Sequence, residues 1–338
     1  MTQTNRGRRQ FLSAMTFGCA ALMAGAVHAG SEATLRFAST LPLTHHVAQA
    51  GQMFADLVNE RSEGRVTIEH YPAGQLFAAN DTPGAVATGA LDMGMVLNGL
   101  WSSAAISEIA DIPFFFDGYD HVNAAFGRDG EVFRVYEESL GRAGMKPLFF
   151  TNFGSFFDIA NNGRQIVEPA DFRGMQIRSP GAMGAQTLEI LGASPVVMSP
   201  GEMYTGLQRG TIDGASSGVS SFHHRNLWEV ANYVTVTGAT MGILAVVVNE
   251  AAFNRLSEES QALILEVATE VQDWSFARSE QEDNESLQFV IDQGNSVHVM
   301  TDAERDVLRD ALVPVVDGWR ARATEAEIAA LEWADSLR

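Results

Sequence analysis

The sequence holds one cysteine in 338 residues, Cys19, and it lies within the first thirty positions. If that stretch is a removed targeting segment, the mature chain carries no thiol, which excludes disulfides, thiolate catalysis and cysteine-ligated metal. Positive charge is also scarce: 22 Lys and Arg stand against 42 Asp and Glu, for a formal net charge of -20. Such a surface repels nucleic acid and anionic lipid headgroups, so neither is expected as a partner. After the first thirty residues no apolar run is long enough to span a bilayer, and no direct membrane insertion is expected. GxGxxG and Walker loops, HExxH and GxSxG are all missing, as are repeats and low-complexity linkers. The sequence therefore gives no reason to expect a cofactor.

What is present begins with a leader. Arg8-Arg9-Gln10-Phe11-Leu12 is a twin-arginine start, the apolar run Ala14 to Val27 is too short to span, and Val27-His28-Ala29 ends on a small residue suited to cleavage. Residues 1–29 read as a signal peptide of the twin-arginine type, with an ordinary secretory signal as the alternative. The destination is the periplasm of a Gram-negative bacterium or a cell surface.

Length and a 46% hydrophobic content suit two domains. Alternation from Thr34 to Ser39, helical spacing from Val47 to Arg61 and a second alternation from Val66 to His70 give strand, helix, strand, the order of a parallel sheet. Helical spacing recurs from Asp120 to Leu140, and Ile243 to Asn249 reads as a strand buried on both faces. Ser257-Glu258-Glu259-Ser260 caps a long helix continuing towards Asp292. Thr301 to Glu304 is a capping box opening a helix that Pro314 is expected to break. The amphipathic tail from Ala323 to Leu337 packs outside or serves in a dimer.

The chain is organised around residues 171–218. Met175 and Ile177 alternate with Gln176, and Arg178 follows just before Pro180, where a strand must stop. A guanidinium at a strand tip suits a carboxylate held by two parallel hydrogen bonds, because ligands of open α/β sheets sit beyond the strands' carboxyl ends. The competing reading is an arginine that caps a helix or pairs with a surface acid. Trp101, in a loop after the strand Leu91 to Leu97, either stacks on a ligand or packs in the core. His223-His224 point about 100° apart on a helix and are not expected to share a metal, and one of His45-His46 could face a cleft. Asp213 and Glu202 read as a turn aspartate and a helix-start acid rather than a catalytic pair.

Ala170 to Arg178, Leu191 to Met198 and Glu202 to Gly214 resemble the solute-binding proteins of tripartite ATP-independent periplasmic (TRAP) transporters, the DctP family. So do Glu60 to Gly64, Tyr71 to Leu76 and Gly89 to Met93, in the same order along the chain. The resemblance implies a periplasmic binding protein type II-like fold of two α/β domains with a ligand cleft between them and a long domain-spanning helix. On that basis domain I takes residues 30–153 plus about 239–278, and domain II takes 154–238 plus about 279–338. The implied function is capture of a small organic acid by cleft closure and delivery to the TRAP permease membrane subunits, with no bond made or broken. A ligand-sensing protein for a periplasmic receptor and an enzyme acting on organic acids are the alternatives. The protein is expected as a monomer or a homodimer.

By the same resemblance Arg178 holds the ligand carboxylate, with hydrogen bonds from Ser217 and Asn162. The family's second arginine is replaced by phenylalanine, aligned as Phe157 with Phe156 the near alternative. Ser217 stands where an asparagine is usual, and Thr40, Ala79 and Leu97 fall where relatives that take sugar acids place polar groups. With Phe156, Phe157, Leu97 and Trp101 shaping an apolar wall, and Thr40 and His45 nearby, sugars are disfavoured, since unpartnered buried hydroxyls cost roughly 1 to 3 kcal/mol each. A monocarboxylate with an apolar or aromatic body, such as an aromatic or branched 2-oxo acid, fits better.

Overall fold

A computed structural model describes residues 31–101 and 104–338. The leader features at residues 1–29, Arg8, Arg9 and Cys19 among them, lie outside the described residues. Alternation at Leu35 and Phe37 builds β1 (Ala33–Ala38), which leads through α1 (His46–Arg61) to β2 (Val66–Tyr71) and through α2 (Thr82–Ala87) to β3 (Met93–Leu97). Next come α3 (Tyr119–Ala125), α4 (Glu131–Arg142) and the long β4 (Met145–Ser155). A second set follows: β5 (Asp158–Asn161), β6 (Gln176–Ser179), α5 (Ala182–Ile190), β7 (Ser194–Val197), α6 (Met203–Arg209), β8 (Gly214–Ser217), α7 (Val219–His224) and β9 (Tyr233–Val236). The chain then runs through β10 (Met241–Asn249), α8 (Glu250–Phe253), α9 (Glu258–Asp292), β11 (Ser296–Val299), α10 (Asp302–Arg322) and α11 (Glu325–Asp335).

Two sheets result, ordered β2-β1-β3-β10-β4 and β11-β9-β5-β8-β6-β7. In the first, β1 is parallel to β2 and β3, and β10 is antiparallel to β3 and β4. All nine residues of β10 are buried, as its unbroken apolar run predicts. Leu244, Val246 and Val248 join the core with Phe37, Phe54 and Phe149, while Ile243, Ala245 and Val247 join Phe126, Tyr136 and Phe150 on the other face. A strand covered on both faces has no polar side to alternate with.

The chain passes between sheets at residues 156–157, at residues 237–240 and along α9. This 35-residue helix starts at Ser257, whose side chain accepts from the Ser260 N–H, and packs first on β4 and α1 and later on α7 and β11. Three expectations are corrected. The run from Asp120 to Leu140 is two helices, parted between Phe126 and Gly130. Helix α10 continues unbroken through Pro314, because the carbonyl that loses its N–H partner belongs to exposed Asp310, where water can serve it. The tail does not stay with the second sheet: α11 packs on α4, and its Glu327 carboxylate accepts the Ile106 N–H at 2.8 Å.

Candidate functional site

Strand β6 runs parallel between β7 and β8, so Arg178, one residue from its end, is enclosed by neighbours on both sides and is 1% exposed. Its Nε donates to the Met198 carbonyl at 3.0 Å and its Nη1 to the Ser216 carbonyl at 2.8 Å. Buried Nη2 has no partner among the described residues. Desolvation, helped by the charge of Arg225 and opposed by Glu202, pushes this guanidinium down to about 9, so it stays charged at neutral pH.

Arg225 follows the last residue of α7 and reaches across to the first sheet, where Nη2 donates to the Thr40 carbonyl at 2.7 Å. Its Nε is buried without a partner, and burial pushes its guanidinium down to about 10. Both arginines line a cavity of about 300 Å³. The second sheet and α7 also contribute Ser217 and Ser221, the first sheet side contributes Thr40, Leu41, Leu97 and Leu244, and Phe153 and Phe156 stand at the crossing. Gly242 makes room for those rings, since a Cβ there would lie 2.8 Å from Phe153 Cβ and 2.9 Å from the Phe156 ring. The electrostatics are plain: two neighbouring cations with unspent donors face an apolar wall and call for an anion.

Phe156 is shared with an adjoining compartment of about 390 Å³. That space touches Phe157, the turn from Pro180 to Gly184, Ser216 and, opposite, Asn98, Glu108 and Asp111. Glu108 is ion-paired with Arg322, and Asn98 Oδ1 accepts from Tyr136 Oη at 3.0 Å. Burial, then the charge of Glu108, raises the Asp111 carboxyl well above the usual range, with an Asn98 hydrogen bond opposing.

Of the residues singled out in the sequence, Arg178, Ser217, Thr40, Leu97 and Phe156 meet in the first cavity, and Phe157 lines the second. Asn162 is removed from the site. It is exposed, its Nδ2 donates to the Val230 carbonyl, and its Oδ1 accepts the Asn232 N–H at 3.1 Å. The reason is register: Asp158 pairs with Ser217 near the cavity, whereas Asn161 pairs with Gly214, three residues or about 10 Å further along. Trp101 is also removed, buried against Tyr136 with ring centroids 5.3 Å apart. His45 lines neither compartment; it caps α1 by accepting the Val47 N–H, and its Nε2 lies 3.2 Å from Ser220 Oγ. Ala79 is core. Arg225 is the residue that sequence reading missed. The absence of the family's second arginine was the one signal that could have prompted a search for another cation.

The histidine pair also departs from expectation. The His223 and His224 rings stack at 4.1 Å, and both turn their nitrogens to α9, where they and Glu282 present donor atoms within 4.8 Å of one another. Adjacent residues diverge within a helix, but these two end α7, where the backbone leaves the helix at Arg225.

The profile of bacterial extracellular solute-binding protein family 7, DctP, matches residues 37–322. The 2,3-diketo-L-gulonate-binding periplasmic protein YiaO of Escherichia coli K12 is 28% identical over 281 residues, 82% of this chain and 84% of that one. The C4-dicarboxylate-binding periplasmic protein DctP of Rhodobacter capsulatus is 26% identical over 330 residues, covering 96% and 98%. Among solved structures, a TRAP periplasmic solute-binding protein of Ralstonia eutropha with bound (S)-2-acetolactate superposes with a TM-score of 0.82 at 25% identity, covering 90% of this chain and 99% of that one. These relatives are solute-binding transport proteins, not enzymes. The chain belongs to bacterial extracellular solute-binding protein family 7, the DctP family of TRAP-type solute-binding proteins.

Proposed function

We propose that this protein captures a small monocarboxylate with an apolar, branched or aromatic body, closes over it, and delivers it to a TRAP permease. The observation that carries this reading is the pair of guanidiniums of buried Arg178 and part-buried Arg225, each with a buried N–H left unpartnered, at a pocket walled by Leu41, Leu97, Phe153, Phe156 and Leu244. A carboxylate takes up both spare donors, and the hydroxyls of Ser217 and Ser221 lie on the same wall. The acetolactate held by the Ralstonia protein is an acid of the proposed kind. Closure has a physical basis: Arg178 belongs to one sheet and Leu97 to the other, so a ligand touching both walls favours the state that brings them together.

One observation favours a second reading. The compartment beyond Phe156 offers Asn98, Glu108 and Asp111, which can hydrogen-bond hydroxyls, so a hydroxylated acid extending past the ring is the alternative. Thermal-shift screening of the mature protein against acids grouped by polarity separates the two. A ligand at a hundred times its dissociation constant adds roughly 2.7 kcal/mol, a rise of a few degrees. Branched and aromatic monocarboxylates are expected to shift the transition. Micromolar binding of sugar acids or C4-dicarboxylates without binding of branched or aromatic acids overturns the first reading in favour of the second.

A further inference from the structure

Below the cleft, outside either ligand compartment, the end of α7 meets the middle of α9 in a polar cluster that the capture of an organic acid does not use. His224 Nε2 lies 2.6 Å from Glu282 Oε1, and His223 Nδ1 lies 3.0 Å from Ser286 Oγ. Ser286, one helical turn on from Glu282, places its hydroxyl 3.1 Å from the same Oε1. Two imidazole nitrogens, a carboxylate oxygen and a hydroxyl thus converge from two elements. Arg278 holds the other carboxylate oxygen, Oε2, at 3.1 Å, which turns Oε1 towards the histidines.

We infer that His223, His224 and Glu282 form a site for one divalent transition-metal ion of the zinc class. Two imidazoles with one carboxylate is a donor set that Zn²⁺, Ni²⁺ and Cu²⁺ accept and that Mg²⁺ and Ca²⁺, which prefer all-oxygen shells, do not. Tetrahedral bonds of about 2.1 Å set donors about 3.4 Å apart, so donors already within 4.8 Å need only small side-chain rotations. The fourth position falls to Ser286 or to water. His224 and Glu282 are 10% and 6% exposed, which gives a mostly dry site under two half-buried imidazoles through which an ion can enter. Fixing Oε1 through the Arg278 contact to Oε2 is the kind of outer support that orients a metal ligand. Arg225 follows His224 directly, so an ion here would anchor the backbone that carries the second arginine of the cleft.

The test uses the tag-free mature protein, stripped with chelator, returned to chelator-free buffer and titrated with ZnCl₂ by calorimetry. The site predicts one ion per chain at micromolar affinity or tighter, and a melting temperature raised by a few degrees in excess Zn²⁺. Glu282→Gln and His223→Gln, both able to keep the hydrogen bond to Ser286, should each weaken binding by about 100-fold. His298→Ala, which removes a histidine paired with Glu304 elsewhere, should bind as wild type does. Co²⁺ should give the intense visible bands of a four-coordinate ion in wild type and not in His223→Gln. Absence of saturable Zn²⁺ binding below millimolar concentration, or undiminished binding in both folded variants, overturns the site.

Discussion

In the proposed function Arg178 and Arg225 share the holding of an anion, and their surroundings predict different responses to substitution. Arg178 is locked by two backbone carbonyls and keeps Nη2 unpartnered at the cavity it lines, so Arg178→Ala removes a charge that is already in place. Losing one partner of a buried charged contact costs about 2 to 5 kcal/mol, so acid affinity should fall at least about 30-fold by calorimetry. Arg225→Lys keeps the charge but replaces the fork, and cannot hold the Thr40 carbonyl and a ligand oxygen with one rigid plane. Its affinity should fall by a smaller factor than in Arg225→Ala, and equal losses in the two variants would show that the geometry of the fork matters and the charge alone does not. Phe156→Ala joins the two compartments and should admit longer acids, at a stability cost of about 3 kcal/mol by denaturant unfolding. Arg178 was legible because Pro180 fixes where its strand stops. Arg225 was not, because its chain position lies beyond a six-residue helix and only the length of its side chain brings it to the cleft. Asn162 was misplaced by a register that no local pattern reveals.

At the scale of elements, the crossing between sheets hangs on Asp158, the first residue of β5. Its Oδ1 accepts from Ser155 Oγ at 3.0 Å and from the Thr237 N–H at 2.9 Å, tying one crossing strand to the other, while Oδ2 is buried without a partner. Burial pushes the carboxyl up to about 6, against those hydrogen bonds. A folded value above the unfolded one, about 3.9, means the folded state binds the proton more tightly. The stability this gives is complete below about pH 4 and is lost as pH rises through about 6. Asp158→Asn keeps an acceptor for both donors and cannot ionise. The melting temperature of the variant relative to wild type should therefore rise between about pH 4 and about pH 7, and a flat difference would refute the assignment. The elements themselves were largely legible: the alternation of β1, the apolar run of β10 and the capped start of α9 all follow from local chemistry. The break between α3 and α4 and the persistence of α10 through Pro314 were not, because packing and solvation decide them.

Across the whole molecule, the C-terminal helix returns to the first sheet's side. Ala330, Leu331 and Ala334 of α11 are buried, the Ala334 carbonyl lies 2.8 Å from His121 Nε2, and Trp319 Nε1 donates to the Ala105 carbonyl at 2.8 Å. Truncation after Arg322 should lower the melting temperature by several degrees, at about 1 to 2 kcal/mol for each large apolar side chain uncovered. An unchanged transition in calorimetry would mean α11 contributes nothing to this unit. The interleaved path also bears on how the molecule is made. A ribosome emits residues in order, yet β4 has no strand to join, and β3 joins only β1, until Asn249 has emerged. For nearly a hundred residues of synthesis, two apolar strands wait with open edges, the kind of surface on which chains aggregate. How long the sheet stays unfinished during synthesis is therefore set by the position of one strand.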